Sequence, residues 1–242
     1  MSMCGIVGVL EFAKGEVAEE LLVKMRDTMV HRGPDGAGTW ISSSKKVGFG
    51  HRRLSILDLS DDAAQPMSNE AKTIWVTFNG EIYNYQEIRK ELEEIGSYQW
   101  KSKNSDTEVI VHAFEEWGID CIYKLRGMFS IGIWDELKKE LWLIRDRIGE
   151  KPLYYSFYQD KLSFASEIKA ILADPKRSRS VNEEALFHYL SFLTSPAPLT
   201  LFEGIHKLPP ATWMKVGQDG ECEFFKYWDP LDHIENLEDK SE

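Results

Sequence analysis

A cysteine lies close to the start of this chain and is followed at once by glycine, in the stretch MSMCGIVGVLEF. A thiol attacks a carbonyl group only as a thiolate, and the pKa of an isolated cysteine is about 8.5, so a nearby base is needed. If the mature chain began at Cys4, its own α-amino group, with a pKa of about 7.7–8.0, would be such a base. Gly5 would let the backbone approach a substrate closely. The alternative is that Cys4 is an inert cysteine packed in a strand.

The other reactive residue types do not form the pattern of a metal, disulfide or phosphate site. Cys4, Cys121 and Cys222 are odd in number and widely spaced, with no C-x-x-C pair, and the six histidines lack H-E-x-x-H spacing. Residues 166–169 have the S-x-x-K spacing of penicillin-recognising enzymes, but the companion S-D-N and K-T-G runs are missing. The run GIVGVL lacks the glycine and lysine spacing of a phosphate loop.

Composition and charge indicate a globular chain that is not expected to bind nucleic acid or membranes. Of 242 residues, 43% are hydrophobic and 29% are charged, and the formal net charge is −11. This charge repels phosphate backbones and anionic lipid, so we expect neither nucleic acid nor membrane partners. No apolar run approaches the roughly 20 residues that span a bilayer, and the first apolar run lacks the features of a signal peptide. We therefore expect a cytoplasmic protein.

Strand-like and helix-like segments come in consecutive groups, which predicts mainly antiparallel sheets layered with helices. A strand is predicted at residues 73–80 (TIWVTFNG). Its last two residues, Asn79 and Gly80, are by residue type alone typical of a tight turn at the end of a strand. A helix is predicted after Ser105, where Ser105 and Glu108 form a capping-box pattern. The polar segment 60–69 is predicted to be a loop long enough to act as a lid.

Eight short motifs occur in an order that resembles one known protein family: CGI, HRGPD, HRRLSI, FNGEIYNY, SDTEV, GMFSIGIWD, RDRIGEKPLYY and ASEIKAIL. They resemble the glutaminase domain of glutamine-hydrolysing asparagine synthetases, which are N-terminal-nucleophile amidotransferases. The resemblance runs from Cys4 to about Trp228. The Pro-Asp of RGPD favours the asparagine synthetase type over the phosphoribosyl and hexosamine amidotransferases. The resemblance implies an α+β fold, a four-layer αββα sandwich of two mainly antiparallel sheets.

The resemblance also implies which residues carry out the reaction, the hydrolysis of glutamine to glutamate and ammonia. Cys4 matches the nucleophile that forms a γ-glutamyl thioester, with its own amine as the base. Asn79 and Gly80 match the oxyanion hole, in which a side-chain amide N–H and a backbone N–H point at the developing charge.

The same resemblance implies a set of substrate-binding residues. Arg53 matches the residue that binds the α-carboxylate, because a guanidinium group pairs with a carboxylate in a bidentate manner. Asp106 matches the partner of the α-ammonium group, Glu81 would add a second negative charge there, and Leu54 and Ile56 would contribute backbone to the pocket wall. From the residue types alone, Arg53 could be a surface arginine and Asp106 a favourable acid in the first turn of a helix.

Three further segments receive roles by the same resemblance. HRGPD would be the loop beside the nucleophile, buttressed by Arg32. The lid would be segment 60–69, closing over glutamine and excluding water. RDRIGEKPLYY is expected to be structural or to face another domain.

Two features depart from the family pattern. Met1 and Ser2 precede Met3, whereas the family's cysteine directly follows the initiator methionine, so we expect Met3 to be the true start and Cys4 to be exposed by its removal. The S-G-G-x-D-S loop of a synthetase domain does not occur in the sequence. We therefore predict a glutaminase domain at residues 4–228 and an acidic, linker-like tail at 229–242 leading towards an absent synthetase domain. No cofactor is expected in the glutaminase domain, and ATP and magnesium would serve only the synthetase domain.

Other interpretations remain open from the sequence. The chain could be a non-catalytic glutamine-sensing or assembly module whose amine is blocked by Met3, or a cysteine amidohydrolase acting on another amide. The expected partners are glutamine, the synthetase domain of the same full-length chain and a homodimer partner. The final ammonia acceptor is open between aspartate and another carboxylate.

Overall fold

The computed structural model describes residues 4–54 and 61–233, and within them twelve strands form two six-stranded sheets. Sheet A contains, in spatial order, β10 (His206–Lys207), β8 (Tyr154–Tyr158), β9 (Lys161–Ala165), β1 (Gly5–Glu11), β3 (Val47–Arg53) and β2 (Gly36–Ile41). Sheet B contains β12 (Cys222–Lys226), β11 (Thr212–Gly217), β7 (Glu140–Arg145), β6 (Gly127–Asp135), β5 (Ile74–Ile82) and β4 (Met67–Ser68). Every pair of these strands is antiparallel.

Helices cover the outer face of each sheet and complete the four layers. Sheet A packs against α1 (Glu19–Asp27) and α5 (Ile168–Ile171) in one apolar cluster, and sheet B packs against α2 (Tyr85–Ile95), α3 (Asp106–Trp117) and α4 (Cys121–Lys124) in another. A sixth helix, α6 (Glu183–Phe192), follows α5 and is mostly exposed. The predicted αββα sandwich is therefore confirmed.

A third apolar cluster lies between the sheets and is built from side chains that alternate with the outward-facing ones. Phe164 belongs to this cluster and is fully buried. A Cβ atom at Gly8 of sheet A would lie 2.2 Å from the Phe164 ring, and one at Gly132 of sheet B would lie 2.8 Å from it. The ring thus fills the space that the two glycines leave, and this sets how closely the sheets approach.

Helix α3 begins as the sequence predicts, but only half of its capping box forms. The Ser105 hydroxyl accepts a hydrogen bond from the Glu108 backbone N–H at 3.4 Å. The Glu108 carboxylate instead accepts hydrogen bonds from the backbone N–H groups of Lys101 and Ser102. Glu108 therefore fixes the segment that leads into the helix. The helix ends at Gly118, whose φ of 58° favours glycine, as expected for a helix stop.

Strand β5 continues two residues beyond its predicted end. Asn79 pairs with Ser130 and Gly80 with Phe129, and the pairing with β6 continues to Ile82. The interpretation of Asn79 and Gly80 as a tight turn is therefore wrong: both lie inside a central strand, because ladder pairing with β6 outweighs their local preference for turns.

The chain after β12 returns to the core before it leaves the described region. Tyr227 is buried and donates its hydroxyl to the Arg145 carbonyl at 2.8 Å, and Trp228 packs against the same apolar cluster. The domain boundary at residue 228 stays a prediction, since residues 234–242 lie outside the described part. Among the described residues, no helix is long and apolar enough to cross a membrane.

Candidate active site

Cys4 lies at the amino-terminal end of β1, beside the end of β3. The register that pairs Gly5 with Arg52 places Cys4 opposite Arg53. The Cys4 Sγ atom accepts a hydrogen bond from the Leu54 backbone N–H at 3.4 Å, and its S–H can donate to the Leu54 carbonyl at 3.7 Å. The side chain is partly buried, so the thiol is held by main chain at a position that a substrate can still reach.

The environment of Cys4 disfavours the thiolate in the resting protein. Burial raises the pKa of the Cys4 thiol above its ordinary value, against a hydrogen bond from the Leu54 backbone that lowers it. The charge of Asp106 raises the pKa of Cys4 further, and those of Arg53 and Arg32 lower it. These effects place Arg53, Asp106 and Arg32 within electrostatic reach of the sulfur, and they mean that the thiol needs a base.

His51 is the titratable side chain two residues before Arg53 on the same face of β3, and it is a poor base. It is 1% exposed, and burial lowers the pKa of His51 to about 3 despite a hydrogen bond with the Phe78 backbone that raises it. An imidazole that is neutral down to this pH has little affinity for the Cys4 proton.

The space next to Gly5 is filled by packing. Met29 lies just after α1, and a Cβ atom at Gly5 would lie 3.1 Å from the Met29 Cβ atom. The expectation that Gly5 serves close approach of a substrate is therefore wrong on this face, since Met29 occupies the room that the missing side chain leaves.

The HRGPD loop lies tightly against the end of β3. A Cβ atom at Gly33 would lie 2.4 Å from the Arg52 carbonyl group, so only glycine fits. The Arg52 Nε donates to the Gly33 carbonyl at 3.1 Å, and the Asp35 N–H donates to the Arg53 carbonyl at 3.0 Å. Arg52 thus fixes the loop, and Arg53, on the opposite face of the strand, is the arginine that faces the site.

Asn79 supplies a buried hydrogen-bond donor without a partner. Its side chain is 1% exposed, and its Nδ2 atom has no hydrogen-bond partner among the residues that the structure describes. Asn79 projects from β5 into the layer between the sheets, as Thr77 does, because alternate residues of a strand share a face. An orphaned amide N–H in a buried position is costly unless a ligand or a water molecule satisfies it.

The Gly80 backbone N–H points to the open edge of β5. The N–H of Phe78 donates away from β6 to the Gln65 Oε1 atom at 2.6 Å, and that of Ile82 donates to the Asp106 Oδ2 atom at 3.1 Å. Amides of a strand alternate between its two edges, so the Gly80 N–H, midway between these two, faces the same edge. A Cβ atom at Gly80 would lie 2.1 Å from the Met128 carbonyl oxygen, so this position needs glycine.

Asp106 connects the first turn of α3 to the end of β5. Burial raises the pKa of Asp106 to about 6, although backbone hydrogen bonds from Ile82 and Thr107 lower it, and the charge of Glu81 raises it further. Asp106 is 7% exposed, while Glu81 is partly exposed. A buried carboxylate with so few counter-charges is suited to receive a cationic group of a ligand.

The prediction that segment 60–69 is a lid is wrong for residues 65–68. Gln65 bridges β5 and α3, because its side chain accepts from Phe78 and donates from Nε2 to the Thr107 hydroxyl at 3.0 Å. Residues 67 and 68 form β4. This part is built into sheet B and cannot swing open as a lid. Residue 60 lies outside the described residues, as does Ile56; Leu54 is described and contacts the nucleophile.

Two charged groups near the site, Glu167 and Lys151, received no role in the reaction from the sequence. Glu167 accepts a hydrogen bond from the Arg32 Nη1 atom at 3.1 Å, while the Arg32 Nε atom donates to the Cys4 carbonyl at 2.9 Å. Lys151 is 5% exposed; burial lowers its pKa, and the charges of Arg32 and Glu81 also act on it. Neither position is close in sequence to Cys4, and the motifs that contain them do not indicate that either side chain lies near the thiol.

The chain is similar to known proteins over most of its length. A family model described as "Glutamine amidotransferase domain" matches residues 3–228. Asparagine synthetase [glutamine-hydrolyzing] 1 of Bacillus subtilis (strain 168) is 41% identical over 93% of this chain and 35% of that protein. Putative asparagine synthetase [glutamine-hydrolyzing] 2 of Methanocaldococcus jannaschii is 34% identical over 96% of this chain and 47% of that protein. The chain thus spans between about a third and about half of these relatives.

A solved structure shares the fold. The glutamine phosphoribosylpyrophosphate amidotransferase from B. subtilis superposes with a TM-score of 0.68 over 93% of this chain and 49% of that chain. At 19% sequence identity, this similarity describes the architecture alone.

Proposed function

The chain belongs to the glutamine amidotransferase domain family, and we propose that it hydrolyses the side-chain amide of glutamine to glutamate and ammonia at Cys4. The observation that carries the proposal is the buried Asn79 amide, which has no hydrogen-bond partner among the described residues and projects into the layer between the two sheets. A donor of this kind has a use when a negatively charged oxygen develops beside it.

The first half of the reaction forms a thioester. Removal of residues 1–3 would give Cys4 a free amine, which takes the proton from the thiol while Sγ attacks the amide carbon. The oxyanion is stabilised by the Asn79 Nδ2–H and the Gly80 N–H. The carbon–nitrogen bond then breaks, and the protonated amine returns its proton to the departing ammonia. This role falls to the amine because the thiol pKa is raised and His51 is a poor base.

The second half consumes water. The Cys4 amine takes a proton from a water molecule as its oxygen attacks the thioester carbon, and the same two donors stabilise the second oxyanion. The carbon–sulfur bond breaks, the thiol recovers its proton, and glutamate leaves.

The head group of glutamine would be held by charges at the ends of β3 and β5. Arg53 pairs with the α-carboxylate and Asp106 with the α-ammonium group, with Glu81 adding negative charge nearby. Leu54 contributes backbone to the pocket wall, and the resemblance assigns the same role to Ile56, which lies outside the described residues. The support for this assignment is that the charges of Arg53 and Asp106 both act on the Cys4 thiol.

The wider setting follows from the relatives. We propose that the ammonia passes to an ATP-dependent synthetase domain, most simply to amidate aspartate, and that ATP and magnesium serve only that domain. The glutaminase reaction itself uses no metal or cofactor. We also propose a homodimer and, given that the described cysteines are free thiols, a cytoplasmic setting.

Glutamate release from glutamine tests the proposal, with Cys4→Ala as the inactive variant. We expect release by the wild-type chain and none by Cys4→Ala, which still binds glutamine in isothermal titration calorimetry. Binding without release by a wild-type sample that begins at Cys4 would indicate a sensing module. If glutamine neither reacts nor binds, Arg53 and Asp106 have been misassigned and another amide is the substrate.

A further inference from the structure

One carboxylate and three basic side chains form a network beside the nucleophile that the proposed reaction does not use. We call it the Glu167 network; its members are His31, Arg32, Glu167 and Lys169. The Glu167 Oε1 atom lies 2.9 Å from the His31 Nε2 atom and 3.1 Å from the Arg32 Nη1 atom, and the Oε2 atom lies 3.0 Å from the Lys169 Nζ atom. One carboxylate therefore holds three cationic or neutral donors.

The network is joined directly to the residue that carries the thiol. The Arg32 Nε atom donates to the Cys4 carbonyl at 2.9 Å, so one guanidinium group links Cys4 to Glu167. Arg32 is 11% exposed and Glu167 is 22% exposed, which shields this pair from water more than an ordinary surface ion pair.

Ser166, the residue before Glu167, binds the backbone of Ile6 near the start of β1. The Ser166 hydroxyl accepts from the Ile6 N–H at 3.0 Å, and the Ser166 N–H donates to the Ile6 carbonyl at 2.9 Å. Ser166 thus holds Ile6 directly, and Glu167 acts through Arg32 on Cys4, two residues earlier.

We propose that Glu167 is a positioning residue for Cys4, acting through Arg32 to fix the Cys4 carbonyl and hence the direction of the thiol. This rests on the proposed role of Cys4 as the nucleophile. A cysteine at a chain terminus has its backbone anchored on one side only, so the Arg32 hydrogen bond replaces the constraint that a preceding residue would give. Glu167 keeps the guanidinium group in the orientation in which Nε faces Cys4 and Nη1 faces the carboxylate.

The kinetic test compares Glu167→Gln and Glu167→Asp with wild type in the full chain. Glu167→Gln keeps the shape but loses the charge that orients Arg32, so kcat for glutamine hydrolysis should fall about tenfold or more, with KM changed by less than about threefold. Glu167→Asp should recover part of kcat. Glu203→Gln, the same exchange at an exposed position outside the site, should behave as wild type. Unchanged kcat in Glu167→Gln, or a loss that tracks thermal stability equally in both Glu167 variants, contradicts the proposal.

Alkylation of the thiols gives a readout that does not depend on glutamine turnover. Iodoacetamide modification of Cys4 and of exposed Cys222 is followed in the same sample by peptide mass spectrometry, so Cys222 serves as an internal reference. Releasing Arg32 frees Cys4 from its contact with Leu54, and the ratio of the Cys4 rate to the Cys222 rate should rise about threefold or more in Glu167→Gln. An unchanged ratio overturns the positioning role even if the wild-type chain hydrolyses no glutamine, whereas a changed ratio without turnover places the failure in the proposed function.

Discussion

At the scale of single residues, the site depends on polar groups that are buried before a substrate arrives. Asn79 keeps an amide N–H without a partner among the described residues, and Asp106 keeps a carboxylate whose pKa is raised to about 6 by burial. Each is a cost to the folded chain that a ligand of opposite character can offset. Substitution of either residue removes one identifiable polar group, so its effect on binding or turnover can be assigned to that group.

We expect Asn79→Ala to lower kcat for glutamine hydrolysis by about 10²–10³-fold, the usual loss for one oxyanion donor. Because the donor acts on the oxyanion rather than on bound glutamine, the affinity for glutamine measured in a Cys4→Ala background should stay within about threefold of the control. Asn104→Ala, at an exposed position, is the matched control. A loss of affinity equal to the loss in kcat would assign Asn79 to ground-state binding.

The raised pKa of Asp106 predicts how glutamine binding depends on pH. Asp106 pairs with the α-ammonium group only when it is ionised, so the affinity of Cys4→Ala for glutamine should be constant well above pH 6 and weaken as the pH falls through about 6. The Glu81 charge raises this pKa, so Glu81→Gln should move the transition to lower pH. Calorimetric titrations between about pH 4.5 and 8, a range that extends about one to two units on either side of the transition, measure the affinity for glutamine in both variants. A transition that stays in place in Asp106→Asn would belong to another group.

At the scale of elements, the sequence predicted the layered arrangement of antiparallel sheets and helices, the strand that becomes β5, and the start of α3 at its cap. It failed at the end of β5, where Asn79 and Gly80 favour a turn locally but pair with β6. It failed again at Gln65, whose polar neighbourhood resembles a loop although its amide bridges β5 and α3. In both cases hydrogen bonds between residues distant in sequence determine the structure, and a local sequence pattern does not predict them.

The spacing of the two sheets should depend on the glycines around Phe164. Gly8→Ala places a Cβ atom 2.2 Å from that ring, so one sheet must shift or the ring must leave its position. We expect a loss of about 1–3 kcal/mol in the free energy of unfolding, as for other overpacked cores. Gly96→Ala is the matched exchange, since its new atom would lie 3.5 Å from Tyr98 and its φ of −152° suits any residue. Urea unfolding of both variants measures the difference; equal midpoints would mean that the ring repacks without cost.

At the scale of the whole molecule, the candidate site gathers residues from opposite ends of the chain. Cys4 meets Arg32, Arg53 and Asp106 because β1 and β3 of one sheet face β5 of the other, and Glu167 reaches Arg32 from 135 residues away. The resemblance assigned Cys4, Arg32, Arg53 and Asp106 to one site and gave no role there to Glu167 or Lys151. No local pattern around those two residues indicates a place in the site, so their position relative to Cys4 is visible only in the folded chain.

The central claim is that the thiol and an unacylated nitrogen belong to the same terminal residue. Amino-terminal sequencing, together with intact mass, of a preparation that releases glutamate from glutamine tests it most directly. We predict that the first residue is Cys4 and that the mass lacks residues 1–3. A fully active preparation that begins with Met1, Ser2 or Met3 would contradict the mechanism, because the nitrogen of Cys4 would then be part of a peptide bond.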